Sequence, residues 1–241
     1  MLFAIPLLIS ALIYAAAALL PAYFLMRYIY RMDRVEKEPV NLLFSLVIMG
    51  IISAAIASAV EGIGIKALGV FVSPNSRAYV ILLAFVVVAA VEEGAKYLML
   101  KRRTWNELNF NYRFDGIVYA VFVSLGFAAI ENLIYVLGYG LSVAPMRAVL
   151  AVPGHMAFGV FMGVFYGRAK ICDLRGDAEG VKENLICAYL APVLLHGFYD
   201  ACVMMGTTLS TIIFVAFVIV MYRWVTGLIK KESASDMPIA Y

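Results

Sequence analysis

The sequence predicts an all-α polytopic transmembrane helical bundle of about seven spans, and three observations predict it. First, 64% of the 241 residues are apolar and 15% charged, against about 45 to 50% and about 25% in soluble domains. Second, apolar runs long enough to cross a hydrocarbon core about 30 Å thick recur at 3–26, 40–60, 79–100, 116–137, 146–167, 185–205 and 208–229. Third, 15 of the 19 basic residues lie at alternate connections, and an excess of Lys and Arg in short loops marks the cytoplasmic side.

The first run is followed by Arg27, Arg31 and Arg34, with no basic residue before it, so it reads as an uncleaved anchor with its N-terminus outside. The second run follows a charged loop, Asp33 to Pro39, read as solvated. The stretch from Gly62 to Val72 is Gly-rich and weakly amphipathic. Counting it as a further span would invert the charge alternation after it, so an interfacial or re-entrant segment is expected. Spans three, five and seven end in Lys101, Arg102, Arg103 and Arg113, then Arg168, Lys170, Arg175 and Lys182, then Arg223, Lys230 and Lys231. The C-terminus is therefore placed in the cytoplasm. Residues 1–231 form one membrane domain, and 232–241 are expected to be a disordered tail. Three cysteines, Cys172, Cys187 and Cys202, give no basis for a disulfide framework. A net charge of +3 without basic and aromatic interleaving excludes a nucleic-acid partner.

Function is signalled by ionisable residues at depths where each charge costs about 2.5 to 3.5 kcal/mol on insertion scales. Span three carries Glu92, Glu93 and Lys96; span four Glu131 and Asn132; span five His155; span six His196 and Asp200. At about 1.5 Å per residue, all fall in a layer about 10 Å thick. His196 and Asp200 are four apart, as are Glu92 and Lys96, so each pair shares a helix face. Four carboxylates against one lysine are untenable in hydrocarbon, so either several are protonated or a cation sits among them. His155 and His196, with Asp200 or Glu131, would supply three ligands and an open position, the pattern of a catalytic zinc site. Pro153 and Pro192 precede the histidines and free carbonyls that a wet cavity could satisfy. The row His155, Gly159, Gly163, Gly167 turns the histidine towards protein.

The motifs EExxK at Glu92, Glu93 and Lys96, FxxxEN at Phe127, Glu131 and Asn132, the lone His155, and HxxxD at His196 and Asp200 together resemble the PrsW family of polytopic membrane proteases. That family is related to the type II CAAX prenyl endopeptidases and bacteriocin-immunity proteins. The resemblance runs from Glu38 and Pro39 to about Asp200. It implies an intramembrane endopeptidase in a prokaryotic cell membrane that cuts a single-span protein, such as an anti-sigma factor, as the first step of a signalling cascade. The CAAX relatives carry EExxxR and FxxxH where this chain has Lys96 and Glu131, so their ligand assignments do not transfer there.

On this reading Glu92 is the general base acting on a water held near His155, His196 and Asp200. Glu93 and Lys96 set the charge state of Glu92, Asn132 could donate to the oxyanion, and Glu131 is either a ligand or a second acid. A metal, if bound, would acidify the water. No Ser, Cys or Thr in these motifs adjoins a base, which disfavours an acyl-enzyme. The alternative is a proton- or cation-coupled transporter, which would need repeats and symmetric broken helices that the sequence does not show.

Overall fold

The structure, a computed structural model, describes the backbone of residues 4–239 and the side chains of residues 8–239. Nine α-helices follow one another among the described residues: α1 (Ala4–Met32), α2 (Val40–Phe71), α3 (Arg77–Leu82), α4 (Ala90–Thr104), α5 (Asp115–Tyr139), α6 (Ala144–Val149), α7 (Ala151–Leu174), α8 (Ala178–Met205) and α9 (Thr208–Ala234). A π-helical segment, Leu83–Ala89, joins α3 to α4, and a 3-10 turn, Leu141–Val143, precedes α6. Seven continuous helical stretches among the described residues are long and apolar enough to cross a membrane.

The expected spans are all present, with two differences. Gly62 to Phe71 is neither interfacial nor re-entrant; it is the end of the 32-residue helix α2. Span five begins at a break at Leu150, and the short α6 before it lies across the end of the bundle against α7 and α1. Both changes leave the order of spans intact.

α5 is the central element, packed against α1, α2, α7 and α4, and it is buried over most of its length; α1 leaves most of its surface to lipid. Two seams of glycine explain how α5 can be so crowded. A Cβ on Gly163 of α7 would lie 2.5 Å from the Gly116 carbonyl oxygen of α5, and one on Gly50 of α2 would lie 2.1 Å from the Val123 carbonyl. Only glycine lets these backbones touch, and without a hydrophobic force between helices in lipid such contact is the main source of packing energy.

At the end of the bundle that carries Met32, Thr104 and Leu174, residues 232–239 make defined contacts, whereas disorder is expected for 232–241; residues 240 and 241 lie outside the described residues. α9 runs to Ala234, and Glu232 pairs with Arg113 at 3.1 Å. Beyond the helix, the Arg113 amide donates to the Met237 carbonyl at 3.1 Å and the Ile239 amide donates to the Asn111 carbonyl at 2.7 Å. The polar composition concealed this because the ties are backbone hydrogen bonds, which composition does not record.

Candidate active site

The π-helical segment Leu83–Ala89 lies one turn before Glu92 and Glu93. A π turn inserts one residue into the helical count and rotates all that follows it by about 100° relative to a regular helix, and such bulges gather at functional sites. Opposite it, Gly197 of α8 has no side chain where a Cβ would fall 2.4 Å from the Phe85 ring, so α8 sits tightly on the bulge. The result brings the EExxK face of α4 and the HxxxD face of α8 together.

Lys96 is at the centre and is fully buried. Its ammonium donates to Glu92 Oε2 at 3.1 Å and to Glu93 Oε1 at 2.7 Å, and lies 3.1 Å from His155 Nδ1. An ammonium has three donors, so all are used. The face of Phe127, the first residue of the FxxxEN motif, lies 3.9 Å from the same nitrogen and adds a cation–π contact.

Two further contacts orient the imidazoles. His155 Nε2 lies 3.0 Å from Glu131 Oε2, a carboxylate oxygen that can only accept, which places the proton on Nε2 and leaves the Nδ1 lone pair facing Lys96. His196 Nδ1 lies 2.9 Å from Glu93 Oε1 and 4.0 Å from Glu92 Oε2, and its Nε2 is 3.4 Å from Asp200 Oδ2. Both nitrogens of His196 thus face carboxylates, an arrangement that an imidazolium satisfies. Phe158 stacks on this ring with centroids 4.7 Å apart. Acid and imidazole groups from α4, α5, α7 and α8 therefore meet in one place, as the common depth of these residues in the sequence suggested.

The structure differs from the sequence reading in three details. His155, His196 and Asp200 do not form a compact donor set; among the described residues the group able to hold a metal is Glu92, Glu93 and His155, whose ligand atoms lie within 4.8 Å of one another. Asn132 is fully buried and donates to the Ala18 carbonyl of α1 at 2.7 Å while accepting from Arg147 at 2.8 Å, so it braces α1 against α5. Glu131 Oε2 accepts from Arg147 at 2.9 Å as well as facing His155 at 3.0 Å, so this oxygen links α6 to the imidazole.

Two residues of the site went unnoticed in the sequence. Arg147, at the start of the 146–167 run, reaches from α6 to Glu131 and lies with its guanidinium carbon 3.9 Å from the centroid of the Tyr135 ring. Glu61 of α2, between the 40–60 run and the stretch that starts at Gly62, stands within electrostatic reach of Glu131, Lys96, His196 and Asp200. An ionisable residue well inside a single 32-residue helix would be the signal for Glu61; Arg147 gives none, because its partner is set by the packing of α6.

Seven apolar helices enclosing a buried carboxylate, lysine and imidazole centre define a polytopic membrane protein with hydrolytic machinery inside its spans. A family model described as PrsW family intramembrane metalloprotease matches residues 38–225. Proteins named Protease PrsW are similar over nearly the whole chain: that of Clostridioides difficile is 33% identical over 210 residues, covering 86% of this chain and 85% of its own. The one from Oceanobacillus iheyensis is 31% identical over 224 residues, 93% and 97% of the two chains. The one from Bacillus subtilis is 30% identical over 222 residues, 92% and 95%. No solved structure matches. The chain belongs to the PrsW family of intramembrane metalloproteases. The membrane-protease reading of the sequence is borne out, and the transporter alternative is not.

Proposed function

We propose that the protein hydrolyses a peptide bond within or beside the transmembrane segment of a single-span membrane protein, by water activated at the Glu92, Glu93, Lys96 and His155 cluster. The observation that carries this is the meeting of α4 and α7 at the Lys96 ammonium, which contacts two carboxylates and an imidazole at once. The substrate class follows the family's role; an anti-sigma factor is one such substrate. The basic end of the bundle faces the cytoplasm of a prokaryotic cell membrane.

Glu92 takes the proton of the attacking water. It is the carboxylate of the pair with a partly accessible side chain, 8% against 0% for Glu93. Glu93 holds Lys96 and His196 through one oxygen and fixes both relative to Glu92. Glu131, anchored by Arg147, keeps the His155 proton on Nε2, so the basic nitrogen points inward. His196, between Glu93 and Asp200, presents positive charge where the carbonyl oxygen becomes negative.

The donors also fit the metal that the family description implies. Glu92, Glu93 and His155 are two carboxylates and an imidazole at suitable spacing, and Glu93 Oε2 is buried with no hydrogen-bond partner. A zinc ion bound by them would lower the pKa of a coordinated water and polarise the scissile carbonyl. Lys96 already contacts the same three side chains, at Glu92 Oε2, Glu93 Oε1 and His155 Nδ1, so lysine and metal would crowd one donor set in which Glu93 Oε2 is the uncommitted oxygen.

The test is cleavage of a single-span peptide by purified protein in liposomes, comparing wild type with Glu92→Gln and His196→Ala. Loss of cleavage in both variants is expected. Undiminished cleavage in both would overturn the mechanism.

A further inference from the structure

The charges of the site do not balance: two carboxylates share one lysine, and one further carboxylate has no cation at all. Glu92 and Glu93 share Lys96, Glu131 has Arg147, and Asp200 faces His196. Glu61 makes no hydrogen bond or salt bridge among the described residues, and its Oε1 is buried without a partner. It also stands outside the Glu92, Glu93 and His155 donor set, so a metal held there would not neutralise it.

Its position is built rather than accidental. Ala57, one turn earlier on the same face of α2, packs with Ala95 of α4 and Phe127 of α5. Gly64, three residues later, lets α2 approach Val87 of the π-helical segment, where a Cβ would lie 2.9 Å from the valine methyl. The face carrying Glu61 is therefore directed at the site, and Glu92 is among the groups that feel its charge. Glu61, Glu131 and Asp200 are the partly exposed acids of the centre, whereas Glu92, Glu93, Lys96, His155 and His196 are buried. Glu61 is thus an acid of the centre that solvent partly reaches, as a group that meets a substrate side chain must be.

We propose that Glu61 is a specificity residue that receives a cationic side chain, Lys or Arg, of the substrate close to the scissile bond. This rests on the protease reading above. A lone carboxylate at this depth is costly, and a substrate cation has the same difficulty, so each removes the other's penalty on binding. Long basic side chains reach such positions by extending along apolar surface. Glu61 is not asked to touch the reacting atoms.

The experiment uses full-length protein in liposomes and single-span peptides identical except for one residue, placed as Lys, Gln or Glu at each of the four positions on either side of the cut. The readout is the ratio of kcat/KM for Lys to that for Gln measured with one enzyme preparation, so the folded fraction cancels. Wild type is expected to favour Lys by about 10-fold at one position, mostly through KM, and to disfavour Glu. Glu61→Gln is expected to bring that ratio to within about 2-fold of unity, and Glu61→Asp to keep part of it. A Lys preference retained in Glu61→Gln, or no preference in wild type, would overturn the assignment. Failure of wild type to cut any peptide would instead overturn the protease reading on which it stands.

Discussion

Two clusters of buried acids, one in the middle of the bundle and one at its end, are stabilised in opposite ways. In the mid-bundle centre the carboxylates meet fixed cations: Lys96 for Glu92 and Glu93, and Arg147 for Glu131. At the end bearing the basic loops, Asp33 and Glu38 of the α1–α2 loop gather with Asp115 at the start of α5 and the tail residue Asp236. There the nearby cations are engaged elsewhere. Lys37 donates to the carbonyls of Tyr30 and Asp33, and Arg113 is taken by Glu232 and Ser235. Burial, with the neighbouring charges of Asp33 and Glu36, pushes the Glu38 carboxyl up to about 7, and burial pushes Asp33 up to about 6. Oxygens of Asp33, Glu38 and Asp236 and the fully buried Tyr119 hydroxyl lack hydrogen-bond partners. In one cluster fixed cations lie within salt-bridge distance of the carboxylates; in the other the acids face one another without one, and protons take the place of the missing charge.

The most severe way to break the first cluster is to remove its cation. Lys96→Met leaves two buried carboxylates uncompensated, and cleavage is expected to fall by about 10³-fold or more, as losses of a preorganised charge do. The same variant sharpens the metal question, because the lysine no longer competes: elemental analysis of purified protein is expected to show more bound zinc in Lys96→Met than in wild type. Equal metal content in the two would show that the ammonium and the ion do not share donors.

Arg147→Ala is next. It strips the anchor from Glu131 while leaving every contact of Lys96 in place. Cleavage is expected to drop about 10- to 100-fold, the usual cost of losing a group that orients a ligand, with partial recovery in Arg147→Lys. Equal activity in wild type and alanine variant would refute the orienting role.

Packing comes third. Gly163→Ala pushes a methyl into the Gly116 carbonyl at the α5–α7 seam, and a loss of about 1 to 3 kcal/mol is expected in detergent unfolding. An unchanged midpoint would mean that the seam can open at no cost.

The second cluster yields the smallest effect, and one with a defined sign. The Glu38 carboxyl in the folded protein titrates near 7, above the ordinary value of about 4.3. The folded state therefore keeps a proton that the unfolded chain gives up, and its contribution to stability is full below about pH 4.3 and declines as pH rises through 7. Glu38→Gln removes the group, so it is expected to raise stability at pH 8 by about 1 to 2 kcal/mol, discounted for solvent reaching the loop, and to leave it little changed at pH 4.5. Thermal unfolding of wild type and variant at the two pH values checks this. Parallel pH profiles would show that the loop carries its charge without strain.

Much of the molecule was legible before any coordinates. The cost of placing each residue in hydrocarbon is local and nearly additive, so the seven spans and the common depth of Glu92, Glu93, Lys96, Glu131, His155, His196 and Asp200 could be read from composition along the chain. The glycine row of α7 likewise announced which face turns inward, and that face meets α5 at Gly159, Gly163 and Gly167. Partner choice was not legible. Whether His155 faces Glu131 or a shared ligand set depends on helix rotation, which the π-helical turn before α4 and the close approach at Gly197 decide. Arg147 joined the site only because α6 folds over the bundle, and the tail became ordered only because Asn111 and Arg113 offer it backbone partners. The sequence set how deep each group lies, since depth is a property of one residue and its neighbours in the chain. The tertiary structure alone decided which groups touch, since that is a property of two helices and the angle between them.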